Sequence, residues 1–126
     1  MIVGIGTDLI EVDRIESSLR RFGDQFLERI FTAGEIAYCK ARRTAAESLA
    51  ARFAAKEAGA KALGTGISRG VGWRELEVHR LPGQAPQLRL HGRAAEIAAT
   101  LGIVKMTLSL THTRGLAMAV AIAERA

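Results

Sequence analysis

Val104-Lys105-Met106-Thr107-Leu108-Ser109-Leu110-Thr111-His112-Thr113-Arg114-Gly115-Leu116-Ala117-Met118-Ala119-Val120-Ala121-Ile122 decides the fold. Val104, Met106, Leu108 and Leu110 alternate with Lys105, Thr107, Ser109 and Thr111; Leu116, Met118, Val120 and Ile122 then alternate with alanines. A period of two predicts strands, and the polar Thr111–Gly115 tip between them makes the pair an antiparallel hairpin. Upstream, a short helix is expected at Ala94–Leu101, ended by Gly102. Leu76 and Val78 alternate with Glu75, Glu77 and His79 as a half-buried strand, Pro82-Gly83 and Pro86 mark a turn, and Leu88 and Leu90 begin the return.

The first half reads as helices. Val12, Ile15, Leu19 and Phe22 recur at steps of three and four, closed by Gly23, with Arg14, Ser18 and Arg21 on the solvent stripe. Thr32-Ala33-Gly34-Glu35 and Thr44-Ala45-Ala46-Glu47 both read as capping boxes, which start helices at about 33–42 and 45–63, the longer one alanine-rich and ended by Gly64. Gly64–Gly72 is a loop, and Ile2–Gly6 is a short strand stopping at Thr7-Asp8. Helices followed by an antiparallel meander predict an α+β fold, an antiparallel sheet packed against a long helix and shorter helices. With no repeat or linker in view, residues 1–126 are expected to form one domain.

At this length folding removes roughly two thirds of the unfolded chain's surface from water, enough for a core without staples. The lone Cys39 permits no intrachain disulfide, and the N-terminus lacks the charged start of a signal peptide, so a cytoplasmic setting is expected and no membrane contact. A formal charge of +5 favours an anionic partner. The few aromatics are not interleaved with the basic residues as a base-stacking platform requires, which argues against nucleic acid.

Several side chains could carry chemistry. Gly4-Ile5-Gly6 lacks the third glycine of a dinucleotide fingerprint, since Leu9 stands there. Asp8 either caps the next helix or presents a carboxylate at a strand end. Phe53, Glu57 and Lys61 share a helix face, where Glu57 and Lys61 alone would make an ordinary surface pair. Arg52 and Lys56, also four apart, stack like charges that a multivalent anion would relieve; Glu57 among these cations suits a divalent metal on a phosphate. His112 is a polar tip residue beside Arg114. His79 and His91 read as exposed sheet residues. One cysteine and no histidine pair at helical spacing leave no zinc site.

Together, Gly4–Asp8, Arg52-Phe53-Ala54-Ala55-Lys56-Glu57-Ala58 with Lys61, Gly64-Thr65-Gly66-Ile67 and Ser109-Leu110-Thr111-His112-Thr113 resemble the motif series of the holo-acyl-carrier-protein synthases, the short bacterial 4′-phosphopantetheinyl transferases. The resemblance spans essentially the whole chain. It implies that fold, and transfer of 4′-phosphopantetheine from coenzyme A to a serine of apo-acyl carrier protein, releasing adenosine 3′,5′-bisphosphate in fatty acid or polyketide biosynthesis. It implies Asp8 and Glu57 as ligands of Mg2+, with Glu57 or a metal-bound water as base. Arg52 and Lys61 become phosphate-binding residues, Lys61 also catalytic, and Arg43 stands near the 3′-phosphate. Gly64 joins the coenzyme site, and His112 serves a neighbouring subunit's nucleotide in a homotrimer with interfacial active sites. The Gly83–Pro86 turn departs by one residue from the family's glycine-x-proline spacing. Acyl carrier proteins are acidic, so Arg14, Arg20 and Arg21 become the docking face. The competing readings are a polyanion-binding module, which gives Asp8 and Glu57 no task, and a structural oligomer.

Overall fold

The alternation of the last segment becomes two ten-residue strands, β4 (Ile103–His112) and β5 (Leu116–Arg125), in a computed structural model that describes all of residues 1–126. Before them come β1 (Ile2–Glu11), α1 (Val12–Phe22), α2 (Asp24–Ile30), α3 (Ala33–Lys40), α4 (Ala45–Leu63), β2 (Leu76–His79), β3 (Gln87–Leu90) and α5 (Gly92–Thr100). The five strands form one antiparallel sheet in the order β1-β5-β4-β3-β2, so the meander places the N-terminal strand beside the C-terminal one. The α+β architecture is the one expected. No helix is long and apolar enough to cross a membrane.

The 19-residue α4 lies against the sheet, and small side chains let it lie close. Ala117, Ala119, Ala121 and Ala123 of β5 have no exposed surface, and neither do Ala54, Ala55 and Ala58 of α4. On β1, Gly4, Gly6 and Asp8 share the helix-facing side. A methyl group at Gly6 would run into the Ala58 carbonyl oxygen, and one at Gly4 into that of Ala62. These glycines are required by backbone packing, not by a nucleotide, and they fix the height at which β1 carries Asp8 past α4.

Several local expectations change. β1 does not stop at Gly6: pairing with β5 runs on from Thr7 opposite Val120 to Glu11 opposite Leu116. Asp8 is therefore a strand residue, and Glu11, not Asp8, precedes α1 at its N-cap. The capping box of α3 forms, with Glu35 N–H donating to Thr32 Oγ1 at 3.2 Å and Thr32 N–H to Glu35 Oε1 at 2.9 Å. That of α4 does not, because Thr44 makes no side-chain cap. The helix α2 and the 3-10 turn Trp73–Glu75 were not expected; α2 begins straight after Gly23, whose φ of 55° reverses the chain. This reversal leaves Phe22 exposed, while Val12 and Ile15 of the same stripe are buried.

Candidate functional site

The residues singled out in the sequence fall in three places around α4. The first is where β1 crosses it. Lys61 Nζ donates to the Thr7 carbonyl at 2.9 Å and lies 3.5 Å from Asp8 Oδ1, so it does not pair along the helix with Glu57. Glu57 is half-buried, and its carboxyl is held above the ordinary range first by burial and then by the charge of Asp8, against a smaller opposing effect of Lys61. Two carboxylates raising one another's cost, with one cation beside them, form a cluster suited to an added positive charge. No three His, Cys, Asp or Glu side chains gather as a ready metal cage. Two carboxylates fit an ion such as Mg2+, which completes its shell with water and substrate phosphate.

The second place is on the other side of the helix. Arg52 lies about 140° around the axis from Glu57 at 3.6 residues per turn. It faces a pocket also lined by Tyr38, His79 and Arg80 and by the Glu35 and Glu77 carboxylates, which are engaged by Lys56 and by Thr32 and His91. Arg52 is only 8% exposed, and its buried Nε finds no acceptor. A buried, unpaired guanidinium N–H costs free energy unless an anion takes it, and that fits a phosphate oxygen.

Lys56 does not join it. The expectation that Lys56 and Arg52 offer one stripe of charge to an anion is overturned, because Lys56 is fully buried and neutralised within the chain. Its ammonium donates to Glu35 Oε1 at 2.6 Å, the Leu76 carbonyl at 2.7 Å and that of Trp73 at 3.2 Å. Burial lowers its pKa, and Glu35 opposes the fall.

The third place is the N-terminal end of α4. His112, opposite Ala117 at the end of β4, has its Nδ1 at 3.4 Å from Glu47 Oε2. Asp8 pairs with Ala119 on the far side of β5. His112 and Asp8 are thus two strand spacings apart, about 10 Å, and out of step along the strands. Arg43 is exposed in the turn between α3 and α4. Gly64 ends α4 with φ 85°; its N–H is taken by the Lys61 carbonyl, so it opens space beside Lys61 rather than offering a free amide.

Arg14, Arg20 and Arg21 are exposed on α1, Arg20 lying 4.0 Å from Glu16. Arg21 lies over the Phe22 ring at 5.3 Å, and Phe22 lines a groove with Phe26, Arg29, Ile30 and Trp73, where Phe53 packs on Trp73 at 4.7 Å. The expectation that His79 and His91 are exposed sheet residues is corrected: His79 ends β2 half-buried, with Arg89 at 3.1 Å, while His91 lies outside the strands as the N-cap of α5 and is engaged by Glu77 at 3.0 Å. Sequence reading missed Glu35, Tyr38 and Glu47 as partners of site residues. Only Tyr38, four residues before Arg42, left a local signal.

A model of the 4′-phosphopantetheinyl transferase superfamily matches residues 4–121. The holo-[acyl-carrier-protein] synthase of Solibacter usitatus is 54% identical over 124 residues, 98% of this chain and 99% of that one. Among solved structures, the holo-[acyl-carrier-protein] synthase of Neisseria meningitidis superposes with a TM-score of 0.89 at 35% identity, covering 99% of this chain and 100% of that one. That of Helicobacter pylori, in complex with coenzyme A, gives 0.84 at 33% identity over 95% and 99%.

Proposed function

Because the chain belongs to the 4′-phosphopantetheinyl transferase superfamily, among the holo-[acyl-carrier-protein] synthases, we propose that it moves 4′-phosphopantetheine from coenzyme A to a serine of apo-acyl carrier protein in a Mg2+-dependent reaction. The observation that carries this reading is the Asp8, Glu57 and Lys61 cluster at the point where Gly4 and Gly6 press β1 onto α4. Asp8 and Glu57 would hold the ion, which would supply positive charge to the pyrophosphate. Lys61, fixed by the Thr7 carbonyl, binds a phosphate oxygen and leaves the reacting phosphorus facing the incoming serine. The serine oxygen forms a bond to that phosphorus as the bond to adenosine 3′,5′-bisphosphate breaks. The serine proton leaves, and the raised carboxylate of Glu57 is the acceptor this chain itself offers.

The nucleotide end of coenzyme A falls to Arg43, Arg52 and His112, the 3′-phosphate to Arg43 and the Arg52 pocket, while Gly64 gives the bound coenzyme room beside Lys61. Since these groups and the metal cluster lie on different sides of α4, the nucleotide groups of one copy serve the metal cluster of the next. The outer face of the sheet supports such an assembly. Ile5 and Leu9 are 60% and 62% exposed there, with Leu116 and Met118 beside them at 44% and 39%. We assign a homotrimer of single-domain subunits with three interfacial sites, working in the cytoplasm in fatty acid or polyketide biosynthesis. A polyanion-binding module would have no use for the paired carboxylates.

The deciding experiment is incubation with coenzyme A, Mg2+ and an apo-acyl carrier protein, read by intact-mass spectrometry. One phosphopantetheine is added to the carrier protein, and none when chelator replaces Mg2+; an unmodified carrier protein would refute the reading. The α1 arginines give a second test. Arg14→Glu/Arg21→Glu is expected to raise the carrier-protein KM about tenfold and the coenzyme A KM less than twofold, because exposed charges steer the acidic partner and not the enclosed coenzyme. Wild-type KM should climb more steeply with salt than the variant's, since screening acts over about 8 Å at physiological ionic strength. Steady-state kinetics at several salt concentrations measure both.

A further inference from the structure

We propose that Tyr38 is a positioning residue for the nucleotide end of coenzyme A: its ring holds the Arg52 guanidinium, and its hydroxyl holds Arg42, as one wall of a pocket that takes a phosphate monoester. The inference rests on the reading of Arg52 as the 3′-phosphate ligand and adds the residue that makes it selective.

The guanidinium carbon of Arg52 lies 4.1 Å from the centre of the Tyr38 ring. Arg42 is 5.0 Å from the same ring and donates from Nη1 to the phenol oxygen at 2.9 Å. Tyr38 leaves from α3, Arg42 from the turn after it and Arg52 from α4, so one rigid aromatic joins cations from two other segments. A guanidinium against a ring face keeps its N–H edges free, and Arg52 lines the pocket with its buried Nε unpaired. Arg80 completes the pocket, its Nε donating to the Gln84 carbonyl at 3.2 Å.

The two carboxylates lining this pocket are engaged elsewhere. Glu35 accepts from Lys56 at 2.6 Å and from the Val78 N–H at 2.8 Å, and Glu77 accepts from Thr32 Oγ1 at 2.7 Å and bonds His91 at 3.0 Å. Arg42, Arg52 and Arg80 thus gather around Tyr38 with none of them in a salt bridge, Arg52 being nearly enclosed with its Nε unpaired. The phenol reports the excess of positive charge: burial pushes its pKa up, yet Arg42, Arg52 and Arg80 together hold it below the ordinary value. Like charges gathered on one ring are stable company for a doubly charged anion. Without Tyr38, Arg52 would have a choice of rotamers and the anion would have to order it.

The test compares coenzyme A with 3′-dephospho-coenzyme A as donors at saturating carrier protein. For Tyr38→Leu, the coenzyme A KM should rise about tenfold, as when an enclosed guanidinium loses its aromatic support. The kcat should stay within twofold, and the KM for the dephospho donor should not move. Tyr38→Phe keeps the ring and should retain the wild-type preference to within threefold. A Tyr38→Leu enzyme whose two KM values rise together, or not at all, overturns the positioning role. Arg52→Lys separates this from the underlying reading: if it leaves the preference for the phosphorylated donor intact, the 3′-phosphate assignment itself fails. Should Tyr38→Leu unfold by circular dichroism, Tyr38→Phe decides, because loss of the preference in that variant removes the ring from the account.

Discussion

Glu57→Gln is expected to slow carrier-protein modification on the order of a thousandfold, the scale on which a group that stabilises transition-state charge is felt, and at the same time to make the chelator-treated protein more stable than wild type. The two effects have one cause. Burial and the neighbouring Asp8 charge raise the Glu57 carboxyl above its usual 4.5, so the folded protein holds this proton more tightly than the unfolded chain. Stability from this group is then greatest at acid pH and falls as the pH rises from 4.5 through the raised folded value. Above that raised value an ionised Glu57 is a liability that a bound cation would relieve. Glutamine removes the charge and with it both the liability and the ion. Mg2+ should therefore raise the melting temperature of wild type and leave that of Glu57→Gln unchanged. Asp8→Asn should act alike on both readouts. Transfer rates across a Mg2+ titration and thermal melts with and without chelator measure them. A Glu57→Gln enzyme that still responds to Mg2+ in either assay would show that the ion sits elsewhere.

The other large effect concerns the fold. Glu35→Ala is expected to cost about 3–5 kcal/mol, because it strands the Lys56 ammonium in the core without its counter-charge. For a domain of this size that is a fall of roughly 10–20 °C in melting temperature. Both side chains are fully shielded, and their network ties α3, the Trp73–Glu75 turn and β2 to α4. Glu35→Leu/Lys56→Met removes both charges and should recover much of the loss. The pH dependence has a definite sign. Lys56 is held below its usual 10.5 by burial, so between its folded value and 10.5 the unfolded chain binds the extra proton and stability rises with pH. Without Glu35 the folded value drops further, and the deficit of Glu35→Ala should narrow as the pH climbs toward 10.5. Chemical denaturation at several pH values checks this; a deficit that is constant with pH would mean that Lys56 is not the stranded charge.

How far the sequence reaches is visible at particular residues. The period-two alternation at 104–122 is a property of adjacent residues, and it specified the hairpin and hence the α+β class before any contact was known. The Thr32–Glu35 box and the glycines at 23, 64 and 102 ended or began helices for equally local reasons of hydrogen bonding and backbone angle. The same Thr44–Glu47 pattern failed: Thr44 makes no side-chain cap, and Glu47 lies beside His112, a residue 65 positions away in the chain. Asp8 and Glu57 could be picked out as carboxylates of interest. What tertiary structure decided was their meeting, since it depends on two glycines without side chains allowing β1 and α4 to touch backbone to backbone. It also sorted the cations of Arg52-Phe53-Ala54-Ala55-Lys56, which helical spacing places on one stripe. Spacing says which side chains share a face; only the elements packed on that face determine whether a charge finds an internal carboxylate, as Lys56 does, or stays unpaired like Arg52.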